Sequence, residues 1–91
     1  MTAVTAAPTR GELLSLYRDA PAPVRAHLAL RWATCPFPAV AAEVPATGSV
    51  LEVGCGHGLL STYLALGGPG RLVTGIDPDA GRIAVARRAG A

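Results

Sequence analysis

The sequence predicts an α/β fold in which a doubly wound parallel sheet begins after a helical segment. Short apolar runs at 50–53 and 72–76 alternate with stretches of helical periodicity, as the strands and helices of such a sheet do. A glycine-rich turn follows the first run, and an aspartate follows the second. The order strand, glycine turn, helix, strand, acid and helix is the one in which a doubly wound sheet opens.

The first part of the chain, residues 1–48, is predicted to form a tail and a helical extension. Residues 1–9 are small and rich in alanine, so we expect them to be frayed. Thr9 is suited to cap a helix that reaches about Ala20, where Pro21 stops it. The other elements predicted here are a helix over 24–34, a helical stretch over 39–44 and a turn over 45–48.

The second part, residues 49–91, holds the start of the sheet. Its first apolar run ends at Gly54, as a buried parallel strand would. The next helix ends at the stretch Gly67-Gly-Pro-Gly70, and the second strand ends at Asp77. Asp77 or Asp79 is expected to cap the last helix, with Pro78 in its first turn.

Composition excludes several classes of function. The chain has 91 residues, which allows one domain at most. All of its eight basic residues are arginine, so Schiff-base lysines and lysine-dependent phosphate loops are excluded. A net charge of +2 gives no indication of nucleic acid, and no apolar run is long enough for a membrane span. Cys35 and Cys55 match neither a metal pattern nor a disulfide framework, which indicates a reduced, cytoplasmic setting.

The turn Gly54-Cys-Gly-His-Gly58 is the candidate binding site. A backbone without Cβ atoms lets a ligand approach closely, and the free N–H groups of the next helix favour an anionic or electron-rich group. Asp77 follows the turn at the end of the next strand, where an acid can accept hydrogen bonds from a ribose diol. These features predict a ligand that contains a nucleoside and lies across the ends of two strands. His57 is expected to be exposed within this turn.

Glycine spacing distinguishes between nucleoside ligands. The dinucleotide fingerprint requires a third glycine where this chain has Leu59, whereas the third glycine here is Gly58. The stretch Val50-Leu-Glu-Val-Gly-Cys-Gly-His-Gly58 resembles the first motif of the class I S-adenosylmethionine-dependent methyltransferases. The stretch Val73-Thr-Gly-Ile-Asp-Pro-Asp79 resembles their second motif. The spacing of the two motifs also fits that family.

The resemblance implies a Rossmann-like domain that binds S-adenosyl-L-methionine and transfers its methyl group to an acceptor, which we expect to be a small molecule. It implies no metal, and it indicates no catalytic residue. Its implied cofactor-binding residues are Glu52, Gly54, Gly56 and Gly58 around the methionine part, Cys55 and His57 at the variable positions of the turn, Asp77 on the ribose, and Pro78 beside the adenine.

The resemblance also predicts an incomplete domain, because the family's sheet has seven strands and residues 49–91 match only the first two. We therefore expect the 91 residues to be inactive alone, and the open sheet edges to allow self-association or completion by another chain. Two alternatives stay open. One is a fragment of an oxidoreductase that binds NAD(P) or FAD, and the other is a truncated, non-catalytic interaction module.

Overall fold

The computed structural model describes residues 7–90, so the predicted tail over 1–9 lies largely outside the described residues. Five helices and two strands follow one another in this part of the chain. In chain order they are α1 (Arg10–Ser15), α2 (Ala22–Thr34), α3 (Phe37–Ala42), β1 (Thr47–Val53), α4 (Leu59–Gly67), β2 (Gly70–Ile76) and α5 (Ala80–Gly90).

The two strands form a parallel sheet with α4 as the crossover between them. The ladder runs from the Thr47–Gly70 pair to the Val53–Ile76 pair. Parallel strands need such a crossover, because a hairpin turn reverses the chain and would make the two strands antiparallel. The predicted order of elements is confirmed, and this arrangement is the start of a Rossmann-like α/β fold.

The first helix begins as predicted and ends earlier. Thr9 Oγ1 accepts a hydrogen bond from the Glu12 N–H at 3.1 Å, and Glu12 Oε1 accepts one from the Thr9 N–H at 2.9 Å. This reciprocal pair is a capping box. The prediction that the helix reaches Ala20 is wrong, because the chain tightens after Ser15 into turns that bond three residues back.

Prolines open the next two helices. Pro23 lies in the first turn of α2 and Pro38 in the first turn of α3, where a missing N–H costs no hydrogen bond. Helix α2 therefore starts at Ala22 instead of residue 24, and α3 starts at Phe37 instead of residue 39. The predictions treated these prolines as breaks and so placed both starts too late.

Strand β1 begins at Thr47, three residues before the predicted apolar run at 50–53 and inside the stretch predicted as a turn. Thr47 already pairs with Gly70, and a Cβ on Gly70 would come within 2.9 Å of the Thr47 methyl group. The absence of a side chain at Gly70 therefore lets the two strand starts approach. This contact joins residues that are far apart in sequence, so no local pattern indicated it.

The core lies among the helices rather than around the strands. Rings of Trp32, Phe37 and Tyr63 pack with centroids 5.5–5.9 Å apart in tilted or edge-on geometry. Such aromatic pairs add about 0.5–1.5 kcal/mol each beyond the burial of their surface. The buried members of this cluster are Leu13, Tyr17, Leu28, Phe37, Leu59, Tyr63 and Ala89.

One face of the sheet is exposed, so the prediction of a buried first strand is wrong. Side chains alternate along a strand, and Glu52 faces α4 through a hydrogen bond to Ser61. Leu51 and Val53 therefore point away from α4, and their exposed fractions are 60% and 74%. On β2 the exposed apolar side chains are Leu72 and Ile76. The helices of residues 7–90 cover only the opposite face of the sheet.

The Arg71 side chain of β2 bonds to α4 and to the segment before β1, and no sequence pattern predicted these contacts. Its guanidinium group donates to the carbonyls of Pro45 and Leu64 at 2.8 Å and to that of Val44 at 3.0 Å. A Cβ on Gly68 would lie 2.8 Å from this side chain. Arg71 thereby holds the end of α4 against the segment that enters β1.

None of the helices in residues 7–90 has the length and apolar character needed to cross a bilayer. The cytoplasmic setting stays a prediction.

Candidate functional site

The glycine turn and the acid that follows β2 lie side by side at one edge of the sheet. Val53 pairs with Ile76, so the carboxyl ends of the two strands meet there. The N–H groups of Gly54 and Cys55 both donate to the Ile76 carbonyl, at 2.7 and 3.0 Å. The turn therefore starts as an extension of the ladder, and it brings the predicted residues of 52–58 next to Asp77.

The three glycines of the turn are left-handed, with φ of +74° at Gly54, +57° at Gly56 and +76° at Gly58. They differ in what a side chain would meet. A Cβ on Gly54 or Gly56 would meet nothing within 4 Å, whereas one on Gly58 would lie 2.9 Å from the Ala86 methyl group. Gly54 and Gly56 thus present bare backbone to open space, and Gly58 lets α5 pack against the turn.

The Asp77 carboxylate links the two strand ends. Its Oδ2 accepts a hydrogen bond from the Gly56 N–H at 3.0 Å, and its Oδ1 accepts one from the Asp79 N–H at 2.8 Å. Both hydrogen bonds lower the pKa of Asp77, the one from Asp79 more than the one from Gly56, and they keep the carboxylate ionised. Each oxygen retains a second lone pair for a ligand.

Asp79, not Asp77, caps the last helix. The Asp79 Oδ1 accepts a hydrogen bond from the Arg82 N–H at 3.0 Å, and α5 begins one residue after the cap. Asp77 is therefore not used for capping. Pro78 is exposed and precedes the cap, so the prediction that it lies in the first helical turn is wrong.

Helix α4 starts immediately behind the turn. Its capping residue is Gly58, which has no side chain to accept hydrogen bonds from the first N–H groups of the helix. The N-terminus of α4 therefore directs its partial positive charge toward the turn, and no capping side chain accepts hydrogen bonds from it. The first residue of the helix, Leu59, is buried in the core, with 2% of its surface exposed.

Glu52 supports the turn from the side of α4. Its Oε1 accepts a hydrogen bond from the Ser61 hydroxyl at 2.6 Å, which ties the end of β1 to the start of the helix. Ser61 was not predicted, because a serine inside an apolar helical stretch carries no recognisable signal of such a role.

Cys55 is buried within the turn. Its side chain packs against Gly75, where a Cβ would lie 2.8 Å from the Cys55 Sγ. Burial raises the pKa of the Cys55 thiol, and the charges of Glu52 and Asp77 add to this effect. The group is therefore a protonated thiol at neutral pH, and it is not poised as a nucleophile.

His57 is held from two sides by the N-terminal helical segment, so the expectation of an exposed residue is wrong. The Tyr17 hydroxyl donates to the His57 carbonyl at 2.8 Å, and the His27 ring lies 5.7 Å from the His57 ring. Burial lowers the pKa of His57, as do the nearby charges of His27, Arg82 and Arg31, while Asp79 opposes them. The imidazole is therefore neutral at neutral pH.

Comparison with known families locates the same stretch of chain. Residues 50–91 match a family described as a methyltransferase domain. The matched stretch includes most of β1, the glycine turn, α4, β2, Asp77 and α5. No curated protein and no solved structure matches the chain significantly.

Proposed function

We propose that this chain, whose residues 50–91 form a class I methyltransferase-like segment, binds S-adenosyl-L-methionine at the glycine turn for transfer of its methyl group. The observation that carries the proposal is the junction of Gly56 with Asp77. Gly56 presents a bare backbone to open space while its N–H donates to the acid at the neighbouring strand end. The two parts of a nucleoside-containing ligand site are thus joined by one hydrogen bond.

The residues of the turn fit such a ligand. Gly54 and Gly56 leave space in which the methionine part can lie against the backbone. The ionised Asp77 carboxylate accepts hydrogen bonds from the ribose hydroxyls through its remaining lone pairs. Pro78 borders the adenine, and Glu52 fixes the start of α4 behind the turn through its hydrogen bond with Ser61.

When bound, S-adenosyl-L-methionine supplies an electrophilic methyl group on a sulfonium. In-line transfer of such a group depends on how the reacting atoms are aligned, and the role of these residues is to hold the donor in place. Cys55 is a buried thiol and His57 is a half-buried neutral imidazole, so neither is assigned to the chemical step. We propose a small-molecule acceptor, because the net charge of +2 is spread over scattered arginines.

A nicotinamide or flavin dinucleotide fits this turn less well. The dinucleotide fingerprint places its third glycine at the position of Leu59, to let helix and strand pack closely. Leu59 is instead 2% exposed and belongs to the hydrophobic core. In this chain the third glycine, Gly58, instead allows Ala86 of α5 to approach the turn. The packing around the turn therefore differs from the close helix–strand packing of the dinucleotide fingerprint.

The pair Asp77→Ala and Asp79→Ala tests the proposed site by calorimetric titration with S-adenosylhomocysteine. Asp77→Ala is expected to weaken binding roughly tenfold or more, because it removes a charged acceptor for the ribose hydroxyls. Asp79→Ala is the matched control: it removes the helix cap, lowers the free energy of unfolding by about 1 kcal/mol and leaves affinity nearly unchanged. Equal affinities of both variants and the unmodified chain would contradict the assignment of Asp77.

A further inference from the structure

Tyr17 reaches the glycine turn from a distant part of the sequence. Its hydroxyl donates to the His57 carbonyl at 2.8 Å and lies 3.5 Å from the Thr62 hydroxyl. The side chain is 2% exposed, and burial raises the pKa of Tyr17. The phenol therefore stays protonated and remains a hydrogen-bond donor throughout the neutral range.

The carbonyl that Tyr17 holds lies at the most adaptable point of the turn. His57 is flanked by Gly56 and Gly58, and glycine adopts either sign of φ at little cost. The conformation of this segment therefore depends on hydrogen bonds to its peptide groups. The Gly56 N–H is bonded to Asp77 and the Gly58 N–H to the Cys55 carbonyl, which leaves the His57 carbonyl to Tyr17.

A second contact brings the same helical segment to the same residue. His27 of α2 places its ring 5.7 Å from the His57 ring, at an angle of 60°. The backbone of His57 is thus held by the turn after α1, and its ring contacts α2. Both contacts come from the part of the chain that precedes the sheet.

We propose that Tyr17 is a positioning residue of the donor site, which rests on the proposed function. By holding the His57 carbonyl, its hydroxyl keeps the bare backbone of Gly56 turned toward the space for the methionine part. The ribose end of the site depends instead on Asp77, whose carboxylate is also held by the Asp79 N–H and therefore keeps its place when the Tyr17 hydroxyl is removed. The helical segment before the sheet therefore contributes to donor binding by positioning the glycine turn.

The variants Tyr17→Phe and Tyr63→Phe test this division between the two ends of the ligand. Both tyrosines are buried in one cluster, at 2% and 4% exposure, but the hydroxyl of Tyr17 is the one that bonds the turn. Titration with S-adenosylhomocysteine and with adenosine separates the methionine end from the nucleoside end. Tyr17→Phe is expected to weaken S-adenosylhomocysteine binding about fivefold and to change adenosine binding less than about twofold. Tyr63→Phe is expected to change neither.

Three results would overturn the inference. Equal affinities of Tyr17→Phe and Tyr63→Phe would show that the hydroxyl does not matter. Equal weakening of both ligands by Tyr17→Phe would indicate a purely structural effect. Absence of S-adenosylhomocysteine binding to the unmodified chain would overturn the proposed function together with this inference, which distinguishes the two failures.

A second measurement applies if Tyr17→Phe does not fold. The unmodified sequence is produced with 3-fluorotyrosine at both of its tyrosines, Tyr17 and Tyr63, and its two fluorine resonances are followed by NMR. S-adenosylhomocysteine, but not adenosine, is expected to shift the Tyr17 resonance and leave that of Tyr63 in place. A Tyr17 resonance that responds to neither ligand, or to both equally, would overturn the proposal.

Discussion

At the scale of single residues, the glycine turn divides its three glycines between two tasks. Gly54 and Gly56 face open space, while Gly58 lies against Ala86 of α5. Sequence spacing alone treats the three as equivalent, because each is simply a glycine of one motif. Ala86 lies two elements further along the chain than Gly58, so the packing role of this glycine became visible only in the folded structure.

Gly56→Ala and Gly58→Ala are therefore expected to differ. Both place a Cβ on a left-handed backbone, which costs about 1–2 kcal/mol of folding free energy. Gly58→Ala adds a clash with Ala86 that costs about 1–3 kcal/mol more, so it is the less stable variant in urea unfolding. Gly56→Ala is the one expected to lose affinity for S-adenosylhomocysteine beyond its effect on stability. The reverse order of stabilities would contradict the assignment.

The same scale marks the limit of prediction from sequence. Asp77 and the glycines were predictable because strand ends, turn and acid form a pattern within one short stretch of chain. Tyr17 and His27 were not, since a tyrosine in one helical turn and a histidine in the next element carry no sign of a contact with His57. Local periodicity predicts which side chains pack, and it gives no partner for the polar atoms of such residues.

At the scale of elements, helix ends and strand starts were decided by contacts and by proline position. Pro23 and Pro38 sit in first helical turns, where they are tolerated, although from sequence they read as breaks. Strand β1 begins at Thr47 because Gly70 lets the strands approach. The order and type of the elements were predictable, whereas their bounds depended on residues distant in sequence.

Arg71 offers a test at this scale, because its planar group donates to carbonyls at the end of α4 and before β1. Arg71→Lys keeps the charge and loses this geometry, since a lysine ammonium cannot reproduce the planar fork. We expect a loss of about 1.5–3 kcal/mol in the free energy of unfolding. Arg87→Lys, at an exposed position of α5, is the control and should change stability by less than about 0.5 kcal/mol. A similar loss in both variants would contradict the role of Arg71.

At the scale of the whole molecule, the helices pack on one side of the two-stranded sheet and stabilise it from there. The other side exposes an apolar row of Leu51, Val53, Leu72 and Ile76, at 48–74% exposure. Apolar strand residues led to the prediction of a buried strand, but apolar character indicates a preference and burial requires a covering element. That element is not among residues 7–90.

The two sides of the sheet should respond differently to substitution. Leu13→Ala is expected to cost about 2–5 kcal/mol, because the side chain is fully buried among the helices. Val53→Thr is expected to cost less than about 0.5 kcal/mol, because Val53 is 74% exposed and threonine suits a strand equally well. Unfolding measured at several protein concentrations checks both values. A concentration-dependent loss in Val53→Thr would mean that another copy covers this face in solution.

The proposed site for S-adenosyl-L-methionine consists of the glycine turn and Asp77. It can be tested by calorimetric titration of the unmodified chain with S-adenosylhomocysteine, and with NADH under the same conditions. We predict saturable binding of S-adenosylhomocysteine at one site per chain, without binding of NADH. Binding of NADH in its place, or of neither ligand by a chain that circular dichroism shows to be folded, would contradict the claim.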